Sequence, residues 1–406
     1  MNKTKLLIIF ALVYFFSPNG LSSLPGQSIA YLLKDVLKLT AAQAAYFSAI
    51  AILGWAIKPL WGIVSDTRPI FGSRRKNYLV LVSLLAAWCW FSLALAPAYT
   101  IWFLLIMLTL SSFAYAFQDV VADAMMIEVG KKEQALAEFQ SVQWLAVSIA
   151  QIITGVAGGW AAARLSFQTT FGLAIFFPLI VAIFAFWLLP EAEPELRFKE
   201  FKEKIKVAFF NKQFLLIILF LFLWNFSPAY GTPFFYYMVD ELKFSKLFIG
   251  ILGSMGAVGA ALGAIAFKFI SPRVAIKNLL IFSIFIGGLG TFFSLIYLVP
   301  VIKTAPILIK ILAVAERLIF GPLGMVAFLT MLTYAGQKTE TLVAGTMFAF
   351  LTSIINLGAI GSQFLGGFLY DKIGLAPLII VSGVTSWLIL FFVPFLKTED
   401  EPRISA

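Results

Sequence analysis

Apolar residues fill this chain in long, unalternating runs separated by short polar breaks. The runs fall at roughly 6–31, 41–64, 78–96, 100–129, 138–163, 168–189, 213–239, 246–270, 275–299, 305–335, 341–369 and 375–396. A helix needs about 20 mainly apolar residues to cross the hydrocarbon core of a bilayer. The runs meet that length, and several exceed it, which predicts tilted or broken helices. No polar–apolar alternation over about ten residues recurs, so the pattern excludes a transmembrane β-barrel. It predicts an all-α membrane protein of about twelve transmembrane helices.

Composition agrees: 61% of the residues are hydrophobic and only 12% are charged, unlike a soluble domain. Charge adds orientation. With both termini cytoplasmic, 20 of the 30 Lys and Arg lie in inner segments and 7 in outer loops. Cations accumulate on the inner side of membrane proteins, so the net charge of +10 reads as topology and not as nucleic-acid binding. The first run continues through Ser17-Pro18 to Tyr31 and has a counterpart later in the chain, so it is expected as a span and not a signal peptide. There is no His and one cysteine, Cys89, which leaves no basis for a disulfide within the chain or a Cys/His metal site.

Residues 190–212 form the one long polar segment and divide the chain into an N-terminal six-helix bundle (1–189), a cytoplasmic linker and a C-terminal six-helix bundle (213–406). The halves resemble each other. Ser17-Pro18 recurs as Ser227-Pro228, Pro25 as Pro233, Asp35-Val-Leu-Lys-Leu-Thr40 as Asp240-Glu-Leu-Lys-Phe-Ser245, and Gly158-Gly159 as Gly366-Gly367, at offsets of 205 to 210. Four matches in order at near-constant spacing mark an internal repeat. Six spans per half give both repeats one orientation, the parallel 6+6 pseudo-symmetric arrangement of the major facilitator superfamily.

One turn breaks the apolar pattern most sharply. Gly62-x-x-x-Asp66, followed by Arg68, Gly72, Arg74 and Arg75, resembles that superfamily's turn between spans 2 and 3. Gly62 is expected to allow close helix approach and Gly72 a turn that a side chain would strain. Asp66, facing the N-terminal end of span 11 near Thr341 with the arginines as partners, would latch the cytoplasmic side; the bland alternative is a set of inner-side anchors. The wider form Trp55-Ala-Ile-Lys-Pro-Leu-Trp-Gly-Ile-Val-Ser-Asp-Thr-Arg-Pro-Ile-Phe-Gly-Ser-Arg-Arg-Lys-Asn-Tyr78 resembles the folate–biopterin transporter family, a branch of the superfamily. Asp119-Val-Val-Ala-Asp123-Ala, Phe139-Gln-Ser-Val-Gln-Trp144 and Tyr31-Leu-Leu-Lys-Asp35 are similar to that family's span 4, span 5 and first loop. Lys76-Asn77 and Gln118 depart from its pattern. The resemblance implies a secondary transporter of folates or pterins working by alternating access, with a small-molecule substrate.

Charged groups in hydrocarbon are costly, about 2.5–3.5 kcal/mol on insertion scales, and usually face a cavity or partner. Asp119 and Asp123 stand i,i+4 on one face of span 4; they are expected to couple a proton or meet the donor edge of a pterin, or else to be a structural pair. Lys58 is expected to snorkel or pair with Asp123, with a substrate carboxylate as the alternative. Arg317, beside Glu316, is the stronger candidate for an anionic substrate, or else forms a local or interhelical ion pair. Gln143, Gln151, Asn225, Asn356 and Gln363 offer hydrogen bonds to a heterocycle or between helices. The paired breaks of spans 1 and 7 point to the transport path. Catalytic residues, cofactors and metals are not expected: no phosphate-binding loop or nucleophile–base pair is present. The protein is expected as a proton-coupled monomer in the plasma (inner) membrane. The rival functions are a permease for another amphiphile such as muropeptides and a membrane sensor or assembly factor that does not transport.

Overall fold

The computed structural model describes residues 2–73, 75–133, 135–188, 212–337 and 344–396. Apart from one isolated bridge in a turn, every regular element among them is helical. The first span runs as α1 (Lys3–Phe16), a 3-10 turn, α2 (Gly26–Tyr31) and a π turn. The second runs as α3 (Ala41–Ala51), a 3-10 turn at Leu53–Ile57 and α4 (Lys58–Thr67). Then come α5 (Lys76–Ala94), α6 (Ile101–Lys132), α7 (Leu136–Arg164) and α8 (Phe167–Leu188).

The later spans begin with α9 (Lys212–Asn225) and α10 (Gly231–Asp240). They continue with α11 (Lys246–Ile270), α12 (Ile276–Phe293), the short α13 (Pro300–Lys303), α14 (Pro306–Gln337), α15 (Ala344–Ile373) and α16 (Leu375–Leu388). Eleven stretches among the described residues are long and apolar enough to cross a membrane. The 14-residue α9 is shorter and with α10 forms the interrupted seventh span, which completes the twelve.

Helices are dictated by the solvent. In hydrocarbon every backbone N–H and C=O must find a partner within its own segment, which a helix provides. Large side chains such as Trp102, Trp187 and Ile307 stay exposed on the helix surfaces, as a lipid-facing surface requires. Where the chain breaks, side chains supply the missing partners. Pro18 ends the regular helix, and Ser17 and Ser22 donate their hydroxyls to the carbonyls of Tyr14 (2.7 Å) and Phe16 (2.8 Å). At Pro228 the Ala229 N–H donates to Ser362 O at 3.0 Å, the Ser227 hydroxyl to Ser382 O at 2.8 Å, and the Ser362 hydroxyl back to Ser227 O.

The internal repeat is visible in the backbone. Lys38 and Lys243, matched residues after the first span of each half, both adopt φ 54°, an unusual left-handed conformation for a non-glycine residue. The matched glycine pairs also play matched parts. A Cβ on Gly158 would lie 3.0 Å from Leu24 O, and one on Gly366 would lie 2.7 Å from the backbone N of Ala229. Each thus admits the broken first span of its own half. Their neighbours admit a helix from the other half of the sequence: Gly159 meets Gly250 Cα at 2.9 Å and Gly367 meets Ala42 O at 3.1 Å.

The chain accordingly forms two compact units: one of residues Met1–Lys38, Ile50–Glu203 and Lys246–Ser254, the other of Leu39–Ala49, Lys204–Ser245 and Met255–Ala406. In the first, α7 packs on the start of α11, where Ser254 Oγ donates to Ile152 O at 2.5 Å and accepts from Val156 N at 2.9 Å. In the second, the glycines further along α11 receive α14. A Cβ on Gly259 would meet Arg317 O at 2.7 Å, and one on Gly263 would meet Pro322 Cα at 2.7 Å. A buried cluster around Phe220, Leu280, Ile284, Tyr334 and Leu351 forms that unit's core.

Candidate functional site

In the first unit, α6 carries the acid pair. Asp119 is buried and its Oδ2 lies 2.6 Å from Lys58 Nζ. Asn19 Nδ2 donates to its other oxygen at 3.1 Å. Lys58 is thus committed to Asp119 and not to Asp123. Its side chain is only 12% exposed, and its ammonium sits 4.7 Å from the Trp55 ring centre. Snorkelling, the other expectation for Lys58, does not occur, because an internal carboxylate and an aromatic face hold the cation inward. Pro59 helps to restart the helix: it occupies the first turn of α4, where its missing N–H has no helical partner to lose.

Asp123, one turn along α6, has neutral partners. Tyr14 donates its hydroxyl at 2.8 Å and Gln143 its amide at 3.1 Å, both to Oδ1. Among the described residues nothing bonds to Oδ2. Gln151 donates to the backbone carbonyl of Asn19 at 3.1 Å, so the break in the first span ties α7 to the acid pair. Sequence reasoning passed over Tyr14 and Asn19. Their signal was position, since they flank Ser17-Pro18, the break already marked as informative.

The second unit holds the other intramembrane charges. Tyr297, fully buried, donates its hydroxyl to Glu316 Oε2 at 2.5 Å. Arg317 makes no ion pair or hydrogen bond among the described residues, so the local ion pair weighed for it is absent there. Asn225 turns its amide back onto Leu221 O at 2.8 Å and toward Met331 Sδ at 3.4 Å. Asn356 lies half-buried on α15.

The charged turn after α4 is tightly built. Ile70 and Ser73 exchange backbone hydrogen bonds of 2.9 and 3.0 Å, with Phe71 at φ 48° and Gly72 at φ 78° between them. Two successive positive φ values make a type I′ turn, in which glycine is favoured. Asn77 and Tyr78 donate to the carbonyls of Ile70 (2.9 Å) and Arg68 (2.6 Å), which fixes the turn to α5. Arg75 is buried and bonded to Glu128 of α6 at 2.7 and 2.9 Å. Asp66 lies in α4; Arg74 and Thr341 fall outside the described residues, as does most of the linker at 190–212. Gly62 does not serve close approach here, because a Cβ there would stand an ordinary 3.8 Å from Val120. The glycine that admits α6 to this span is Gly54, whose Cβ would meet Phe113 N at 2.6 Å.

The comparisons with known proteins agree with this architecture. The BT1 family matches residues 19–398. A folate-biopterin transporter of Synechocystis is 28% identical over 97% of this chain and 82% of its own length. Folate transporter 1 of Plasmodium falciparum is 23% identical over 95% and 78%. Among solved structures, the D-xylose-proton symporter superposes with a TM-score of 0.73 at 12% identity, covering 98% of each chain. The nucleoside transporter NupG superposes with a TM-score of 0.71 at 17% identity, again over 98% of each chain. At those identities the likeness establishes the fold, that of the major facilitator transporters.

Proposed function

Because the chain belongs to the BT1 family, the folate–biopterin branch of the major facilitator superfamily, we propose that it carries folates or pterins by proton-coupled alternating access. It is an integral multi-pass transporter of a small molecule, not an enzyme. The observation that supports coupling is the charge balance around α6: one cation, Lys58, against two carboxylates, Asp119 and Asp123. A desolvated cluster with one excess negative charge is costly, and it is relieved by one added cation. A proton on Asp123 Oδ2 supplies it without disturbing the bonds to Oδ1. Lys58 is the natural contact for a substrate carboxylate, which competes with Asp119 for the ammonium. Arg317 adds a second cation to the substrate path.

In the same reading both termini face the cytoplasm, the linker joins two six-helix bundles, and the protein works as a monomer in the plasma membrane. The turn from Gly62 to Arg75, with Asp66, Arg68, Gly72 and Arg74, acts as the cytoplasmic gate. The test is uptake of labelled folate and biopterin into proteoliposomes, with and without an inward proton gradient. Accumulation driven by the gradient and lost in Asp123→Asn is expected. Uptake of neither compound would overturn the substrate assignment; gradient-independent uptake, or an unaltered Asp123→Asn variant, would overturn the coupling.

A further inference from the structure

Glu316 and Arg317 are adjacent ionisable side chains in α14, and they do not pair with each other. Consecutive helical residues point about 100° apart, so each head must meet something else. Glu316 is held from one side only. Tyr297 bonds its Oε2 at 2.5 Å, and Oε1 has no partner among the described residues. Tyr297 is itself fixed: its carbonyl accepts from the Tyr237 hydroxyl at 2.8 Å, and Phe234 packs edge-on against its ring at 5.6 Å. Tyr230 lies beside Phe234 at 6.0 Å with its hydroxyl 3.0 Å from Ser294 Oγ. Both residues are half-buried. The result is a carboxylate held by a buried tyrosine, an arginine with no bonded partner among the described residues, and a cluster of aromatic rings in one unit.

That combination has a specific complement. A carboxylate accepts from a ring N–H and an adjacent exocyclic amine, while an arginine fork donates to a neighbouring carbonyl oxygen and ring nitrogen, as it does to guanine O6 and N7. A pterin presents those two edges side by side, N3–H with the 2-amino group on one and O4 with the pyrazine N5 on the other, and its flat face suits aromatic contact. We propose that Glu316 and Arg317 form the subsite that recognises the 2-amino-4-oxo ring, with Tyr297 as the residue that positions Glu316. The proposal rests on the folate–pterin reading above and separates ring recognition from the Lys58–Asp119–Asp123 cluster.

The test is equilibrium binding to the purified full chain in nanodiscs, with biopterin and its 2,4-dioxo counterpart of the lumazine type as probes. Wild type should prefer the 2-amino ring by about tenfold or more, the usual scale for a matched polar edge. Glu316→Gln replaces the acceptor pair by one donor and one acceptor, which suits the dioxo ring, so the preference should level or invert. Arg317→Gln should weaken both probes about equally, because both keep the carbonyl and ring-nitrogen acceptors. Glu316→Asp, which keeps two acceptors, should bind more weakly but retain the order, and it serves should Glu316→Gln fail to fold. An unchanged preference in Glu316→Gln, or an inversion found in Asp123→Asn instead, overturns the subsite and leaves the transport reading standing. Wild-type protein that binds neither probe overturns both.

Discussion

Replacing Lys58 by Met tests the central ion pair. The Lys58 and Asp119 side chains are 12% and 8% exposed and 2.6 Å apart. Removing one member of a buried pair typically costs about 3–5 kcal/mol, because the remaining charge is stranded. Asn19 still donates to Asp119, which places the expected loss near the lower figure, about 3 kcal/mol. The lost contact with Trp55 adds about 0.5–1 kcal/mol.

The informative measurement is a double-mutant cycle with Asp119→Leu, followed by reversible denaturation in detergent micelles. The double variant removes both charges and should regain about 2 kcal/mol relative to the sum of the single changes. Lys268→Met, on an exposed position of α11, sets the baseline. If Lys58→Met costs no more than that control, or the two changes simply add, the ion pair is not a buried, coupled interaction.

Three further outcomes follow from the geometry. Phe71→Gly should stabilise the turn by about 0.5–1 kcal/mol by removing a positive φ from a side-chain-bearing residue, while Gly72→Val should cost about 1–2 kcal/mol; thermal unfolding followed by tryptophan fluorescence distinguishes the signs. Gly366→Val should lower the unfolding midpoint more than Gly231→Val, since nothing lies within 4 Å of a Cβ on Gly231 whereas Ala229 blocks Gly366; overpacking of this kind costs about 1–3 kcal/mol. Cys89, buried and the sole thiol of the chain, should resist a water-soluble maleimide in the folded protein and react fully after denaturation, as mass spectrometry would show.

Much of this architecture was legible because hydrocarbon leaves the chain few options. Long apolar runs must be helices, and a Ser-Pro repeated at matched positions must break two of them. The i,i+4 spacing put Asp119 and Asp123 on one face. Their partners were harder to assign. Lys58 follows the 3-10 turn at Leu53–Ile57, and such a turn rotates about 20° more per residue than an α-helix, roughly 100° over five residues. Lys58 was expected to meet Asp123 or to snorkel outward; it meets Asp119 instead. The same irregularity moves the close approach from Gly62 to Gly54. Asn225 looked available from its polarity alone, but the carbonyl of Leu221, one turn back, accepts its amide. Sequence spacing does not encode such local competitions.

Neither compact unit is contiguous in sequence, since each takes in a short helical strip from the opposite half: Lys246–Ser254 in one, Leu39–Ala49 in the other. A gene split between the halves would therefore encode two polypeptides that each lack the piece covering their own glycine pair, Gly158-Gly159 or Gly366-Gly367. Expressed alone, either fragment should be a poor substrate for purification and a good one for membrane quality-control proteases. Expressed together, each restores the other's missing surface. An ancestral duplication of this kind thus becomes an obligate partnership, in which neither copy can be lost or replaced without the other.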